Sequence, residues 1–464
     1  QGGYFIIDGK EKVIVAQERQ VENKIYVKKF SSEDYALYES EIRSVPENIF
    51  QPARITKISM LNKKNSPQLK IKENTLRVTI PNVSGDIPLF VLYRALGVIS
   101  DKEIILYIIG SYEGKLNTKI TEILRPSILE AAFINTQNLA FNFIKDRVTA
   151  YGKRIDNQES KFMFTMDIIK NYFLPHVGKQ ILPKIEFLSH MVREIIYTKL
   201  SIRQPTDRDS FINKRVDISG FLVGTIFRDL YFRVKNKLEE NLNKSYTSKD
   251  TTSNRTGHYW KESPTNSLEY NFWNIIGDQD ISFNKMTSLI DISIMNEGFM
   301  YAFKNCWGLK NAPCKQGIVQ DLSRLNYLSF ISHLRRVNTP IDKSAKIRAP
   351  HSLHGSSFGV MCPCETPDGG NIGVRKNISL FAQVTFGTNS EKLYKMLYTY
   401  GVKSIYNVNH SIRKDCCKIF LNERLIGYHD NPEIFSYKIK LLRRNALINI
   451  YTSISWYVSD NIIK

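Results

Sequence analysis

Apolar residues recur along this chain with two different periods, and the changes between them mark its elements. Near the start, Tyr4-Phe5-Ile6-Ile7 and Val13-Ile14-Val15 flank Asp8-Gly9. That dipeptide favours a tight reversal, so residues 1–20 predict a β-hairpin. From there to about Pro81 the text is strand-like and basic, and Leu76, Val78 and Ile80 alternate with Arg77 and Thr79 as in a half-buried strand. Near Pro88 the period lengthens: Leu92 and Leu96 share a helical face and Gly97 is placed to end it. Ser100 and Glu103 have the spacing of a capping box for a helix over Glu103–Ile109.

Residues 120–200 read as mostly helical, with Ile185, Leu188, Val192 and Ile195 on one side. Asp207-Arg208-Asp209 breaks the run. Ile218, Leu222, Ile226, Leu230, Val234 and Leu238 then fall four apart. Such a row drifts slowly round a helix and predicts one that wraps a neighbour. Residues 241–268 are polar and turn-rich and predict a surface loop; after Thr385 short strands and helices follow.

The stretch Gly317–Ser379 carries the most information. Ile318, Leu322, Leu325, Leu328, Ile331 and Leu334 recur at three- and four-residue spacing, predicting an amphipathic helix from Gly317 to Asn338-Thr339-Pro340. Gln320, Arg324, His333, Arg335 and Arg336 fall largely off its apolar stripe. Arg335 and Arg336 at the helix end have two readings: a pair favoured by the helix dipole, or a phosphate clamp. A short basic loop with Lys343, Lys346 and Arg348 follows, then the turn formers Cys362 to Asn371.

Composition changes this picture in one respect. The 464 residues allow about two to four domains. The 65 Lys+Arg against 45 Asp+Glu give a charge of +20, which points to a polyanionic partner, nucleic acid first among them. The six cysteines form no C-x-x-C pair, so no zinc is expected, and Cys362 and Cys364 read as buried thiols. So few cysteines in so long a chain suggest a reducing compartment. The longest apolar runs stop far short of a membrane span. No phosphate-binding loop, nucleophile elbow, H-E-x-x-H or Asp-x-Asp-x-Asp cluster is present. What remains is positioning chemistry: cations for phosphates, and amides for sugars and base edges.

The words SHLRRVNTPI and CPCETPDGGNIGVRKNISL resemble the fork region of the second-largest subunit of multisubunit, DNA-directed RNA polymerase. GGYFIIDGKEKVIVAQER, IPLFVLYRALGVISDKEI and DRDSFINKRVDISGFLVGTIF resemble further segments of that family, in the same order. The resemblance implies an α+β, multidomain fold of mixed helical and antiparallel β segments. It implies an end of the first protrusion segment at 1–19, a lobe at 20–213, a second protrusion segment at 214–303, a fork at 304–385 and a partial first external domain at 386–464.

By the same resemblance, Gln320 approaches the RNA strand of the hybrid, and Arg335 and Arg336 lie beside the active centre. Asn338 falls in the wall of the pocket that rifamycin occupies in bacterial enzymes. Lys343, Lys346 and Arg348 belong to fork loop 2 near downstream DNA. Lys214 and Arg215 form a basic pair near the hybrid, and Glu365, Thr366, Pro367 and Asp368 border the nucleotide-addition site. Asp368 stands where the family usually has Glu, and the loop Trp307–Gly317 is short for fork loop 1.

No catalytic residue is expected in this chain. The family's Mg²⁺ is held by the largest subunit, and the chain alone is not expected to be active. Implied partners are that subunit, smaller polymerase subunits, template DNA, the RNA–DNA hybrid and nucleoside triphosphates, with no membrane. The implied location is the nucleus, or the cytoplasm for a large DNA virus. The rival readings are a non-catalytic nucleic-acid-binding module or inactive paralogue, and a structural interaction protein with a solvated basic face.

Overall fold

The computed structural model describes the chain apart from residues 1–2, 32, 48–51, 63–73, 111–114, 151–152, 155–157, 253–290, 305, 310–314, 342–346, 408–415 and 459–461. It divides into two compact units, Gln1–Gln20 with Asp209–Val384, and Val21–Arg208 with Thr385–Lys464. Both combine helices with sheets, as an α+β chain should.

In the second of these units, five strands run as an antiparallel meander: Ile25–Lys29, Ala36–Ser44, Arg54–Leu61, Leu76–Thr79 and Ile87–Pro88. Leu76 and Val78 are buried and Arg77 and Thr79 half-buried, the alternation expected. Helices cover this sheet. In Leu89–Ala95 the chain leaves through Gly97 at φ +105°, where the N–H groups of Gly97 and Val98 bond the carbonyls of Arg94 and Tyr93. That is a Schellman closure, and it requires a residue free to adopt left-handed geometry. The next helix begins at Asp101, not Glu103, and Ser100 precedes it without a side-chain bond. The expected capping box is therefore not formed. Asp101 instead accepts from the buried Arg94 at 2.5 Å.

Helix Ile181–Lys199 buries Ile185, Leu188, Val192 and Ile195, as its spacing predicts. It also buries Lys184 completely. The ammonium donates to the carbonyls of Ile169, Lys170 and Phe173 at 2.7, 2.7 and 2.6 Å. Burial pulls its pKa down to about 7. A second five-stranded sheet in this unit carries the hairpin Cys417–Leu421 and Arg424–His429, with helices Glu391–Thr399 and Pro432–Arg444.

The other unit holds the sequences quoted for the resemblance in the fork. Strands β1 (Phe5–Ile7) and β2 (Lys10–Ile14) form the expected hairpin, with Asp8 and Gly9 both at positive φ. Only Val15 separates β2 from β3 (Ala16–Gln20), so one length of chain serves two sheets. β4 is Lys214–Asp217, followed by the helices α1 (Ser219–Thr252) and α2 (Ser293–Lys304). α1 buries Ile226 and Leu230, and a Cβ at Gly298 of α2 would meet the Leu230 side chain at 2.2 Å, so any larger residue there would force that leucine to move. α1 continues to Thr252, so residues 241–252 are helical rather than loop; residues 253–268 lie outside the described ones.

The long helix expected from Gly317 is not there. Val319–Asp321 is a strand, β5, paired antiparallel with β2, and the helix α3 covers only Tyr327–Leu334. Strand pairing with β2 outweighs the helical spacing of apolar residues, because Val15 and Leu322 extend the ladder at both ends. Asn326 then starts α3 with a capping box to Ser329. Leu325 and Leu328, two members of the supposed stripe, are 89% and 77% exposed. β6 (Arg336–Asn338) and β7 (Arg375–Asn377) complete a sheet in the order β4, β3, β6, β7. β6 runs parallel to β3, a pairing that no local pattern announces. Cys362 is half-buried and Cys364 exposed, so neither is the buried thiol expected; Cys306 is disulfide-bonded.

Candidate nucleic-acid interface

The last turn of α3 is where the predicted residues meet. His333 is buried there, between β5 and the helix. Its Nδ1 accepts the Ser323 backbone N–H at 3.1 Å. A ring nitrogen that accepts carries no proton, so the proton sits on Nε2 and donates to Oε1 of Gln320, 3.1 Å away. The Gln320 amide nitrogen donates to the Gly317 carbonyl at 2.9 Å. Burial, with Arg336 nearby, holds the His333 pKa below the usual range and keeps the ring neutral.

Ser332, one residue earlier, points to the other predicted group. Asn377 of β7 donates to the Ser332 hydroxyl oxygen and to its carbonyl, both at 3.1 Å. That leaves the hydroxyl proton for the Glu365 carboxylate, to which it donates. Thr366 is tied down as well: its hydroxyl donates to the Arg375 carbonyl and accepts from the Gly373 N–H, both at 2.9 Å. Gly373 has φ +70°, and a Cβ there would lie 2.6 Å from the His351 carbonyl oxygen, so the turn closes only on glycine. Pro367 and Asp368 are exposed beyond it.

Arg335 and Arg336 part company. Arg335 is the C-cap residue of α3, and its guanidinium donates to the carbonyls of Ile378, Ser379 and Leu380 at 3.3, 2.6 and 3.3 Å. Its cation sits at the C-terminal end of the helix, as the dipole reading has it, and its guanidinium braces the chain after β7. Arg336 opens β6, half-buried, and makes no side-chain hydrogen bond or ion pair among the described residues. Asn338 ends β6 opposite Arg375 and Gln17. Arg348 is exposed at the entry to a short turn; Lys343 and Lys346 lie outside the described residues.

Lys214 and Arg215 also diverge. Lys214 binds Oε1 of Glu18 at 2.8 Å, while Lys376 of β7 binds Oε2 at 2.7 Å. Both ammoniums lie about 5 Å from the Phe211 ring centroid, at 4.9 and 5.2 Å. One buried carboxylate thus faces two cations, leaving a net positive charge inside the sheet. Burial opposes its ionisation, but Lys376 and Lys214 together hold the Glu18 pKa below the ordinary carboxyl value. Arg215 is exposed, and its guanidinium donates to the backbone carbonyls of Ile212 and Lys214.

Glu18, Lys376, Ser332 and Asn377 did not stand out in the sequence. The one available signal was charge inside a strand: Gln-Glu-Arg-Gln follows directly on Val-Ile-Val-Ala with no turn former between. Among the described residues, no group of three or more His, Cys, Asp or Glu is arranged to hold a metal ion.

The chain is similar to known proteins over nearly its whole length. The family described as RNA polymerase Rpb2, domain 2, matches residues 21–217, and RNA polymerase Rpb2, domain 3, matches residues 320–384. A DNA-directed RNA polymerase II subunit RPB2 of Encephalitozoon cuniculi is 36% identical over 98% of this chain and 36% of its own length. A DNA-directed RNA polymerase II subunit 2 of Arabidopsis thaliana is 31% identical over 97% of the chain and 35% of its own. An archaeal subunit Rpo2, from Sulfolobus acidocaldarius, is 29% identical over 99% and 37%. The chain spans about a third of the length of these relatives.

Proposed function

This chain belongs to the family of second-largest subunits of DNA-directed RNA polymerase, and from that premise we propose that it walls the nucleic-acid channel and active centre during template-directed RNA synthesis. On this reading its lobe, protrusion and fork segments line template DNA, the RNA–DNA hybrid and the incoming nucleoside triphosphate. The largest subunit and smaller polymerase subunits complete the enzyme. The nucleus is the proposed compartment, and a cytoplasmic site applies to a viral source. Among the described residues no helix is long and apolar enough to cross a membrane.

The observation that carries the reading is the convergence on the last turn of α3. Ser332, His333 and Arg335 anchor the Glu365 turn, Gln320 and the 378–380 backbone respectively. Interfaces that meet a charged polymer need their polar groups preset, since ordering them on binding costs free energy. Arg336, which makes no side-chain hydrogen bond or ion pair among the described residues, supplies phosphate-directed charge, with Arg215 and Arg348 exposed as further cations. Lys214 contributes through the excess positive charge it shares with Lys376 around Glu18. Glu365, Thr366, Pro367 and Asp368 form a braced turn beside the nucleotide; Asp368 reaches one methylene less far than Glu.

Among the described residues no group of three or more His, Cys, Asp or Glu is arranged to hold an ion. Two-metal nucleotidyl transfer belongs, in this proposal, to the largest subunit. The test is Arg336→Ala in the assembled enzyme. Slower elongation or a shorter-lived elongation complex, with assembly intact, is expected; unchanged rates and lifetimes overturn the reading.

A further inference from the structure

A glutamine amide is ambiguous. Rotated by half a turn it offers an acceptor where it offered a donor, so something must choose for Gln320. The structure makes the choice through two backbone groups and one ring. The Ser323 N–H occupies Nδ1 of His333, which puts the ring proton on Nε2. That proton faces Oε1 of Gln320 at 3.1 Å, while the Gly317 carbonyl faces the amide nitrogen at 2.9 Å. The flipped amide would set its nitrogen against the imidazole N–H and its oxygen against a carbonyl, two repulsive contacts in place of two bonds.

We propose that His333 is a positioning residue that locks Gln320 with a hydrogen-bond donor outward, so that this position recognises acceptor atoms of a nucleic-acid strand: phosphate oxygens, sugar oxygens or base carbonyls. The amide has two N–H groups, and one is taken by Gly317. The second is left for the strand. The inference rests on the reading of Gln320 as a nucleic-acid contact, and it adds the polarity of that contact and the group that sets it. The ring itself is buried and reaches the strand only through Gln320. The anchor is built into the start of α3 as well. Ser323 is joined to Ser329 through their hydroxyls at 3.2 Å, and Ser329 belongs to the capping box. The acceptor side of the ring therefore moves with the helix.

The experiment is a double-mutant cycle in the assembled polymerase, read as the lifetime of stalled elongation complexes under a salt challenge. Gln320→Ala should shorten the lifetime about fivefold to tenfold, the size of one hydrogen bond to a charged or polar acceptor. His333→Phe, which keeps a ring and loses the donor, should shorten it by a similar factor. The double variant should be no worse than either single one. His333→Gln, whose amide N–H can reach the Nε2 position, should restore most of the lifetime; a role in packing alone would not be rescued this way. If His333→Phe fails to assemble, His333→Asn, too short to reach Oε1, replaces it. Multiplying effects of the two singles, or no rescue by Gln, overturn the inference while leaving Gln320 a contact. A silent Gln320→Ala overturns the contact itself.

Discussion

Each of the two units buries lysine, and they do so in opposite ways. In the unit built on the five-stranded meander, Lys184 is wholly enclosed and has no carboxylate; three carbonyls take its three N–H groups. They come from the end of one helical turn, where carbonyls lack partners of their own. In the unit with the fork sequences, Lys214 and Lys376 share one carboxylate, Glu18. The first arrangement satisfies every group and fits a scaffold. The second leaves a surplus cation in the sheet that carries Arg336, Asn338 and Arg215. Stability alone would not favour a surplus buried charge. On the proposed function, a sheet facing a polyanion would give it a purpose.

The contrast makes graded predictions. Glu18→Gln keeps the shape and leaves two ammoniums facing one another, so it should destabilise its unit by about 3–5 kcal/mol. Hydrogen exchange in peptides covering β3 and β7 measures this, and unchanged protection there counts against a central role for the carboxylate. Lys184→Met leaves three carbonyls without donors; a loss of about 2–3 kcal/mol is expected, confined to the other unit. Exchange rising in both units would show that the two sites are not independent.

Acid should separate them further. The folded Glu18 pKa is depressed below the ordinary 4.5, so its contribution is fully present above about 4.5 and is lost as pH falls through the lower folded value. The wild-type chain should thus lose more stability on acidification than Glu18→Gln, in urea titrations at stepped pH. Parallel pH profiles would exclude ionised Glu18 as the source. The smallest effects belong to Lys214→Met and Lys376→Met taken singly. Each leaves one cation on Glu18 and removes the surplus, so each should stay within about 1 kcal/mol of wild type. A large loss from either would mean that both cations are needed.

Much of this was legible locally because its causes are local. Asp8-Gly9 turns the hairpin through positive φ at both positions, and Gly97 closes its helix for the same reason. The helix Ile181–Lys199 follows from its own apolar face. Family membership was legible too, since SHLRRVNTPI and CPCETPDGGNIG are contiguous words. The candidate site was half legible. Gln320, Glu365 and the two arginines were named, but their division of labour was not. Arg335 braces carbonyls and Arg336 does not, a difference that depends on where residues 378–380 pass.

Short-range sterics and spacing settle each local element, and contiguous words settle the lineage of the chain. Tertiary structure decided the rest. The spacing from Ile318 to Leu334 is helical, yet Val319–Asp321 is a strand, because β2 offers a ladder that a helix there would forgo. Lys214 looks like a surface cation, yet Glu18 claims it from a strand some 200 residues away in the chain and shares it with Lys376. Gln320 could present either end of its amide, and a histidine thirteen positions on selects one. Hydrogen-bond partners brought together from distant strands set these outcomes, and a periodicity read along one segment carries no record of them.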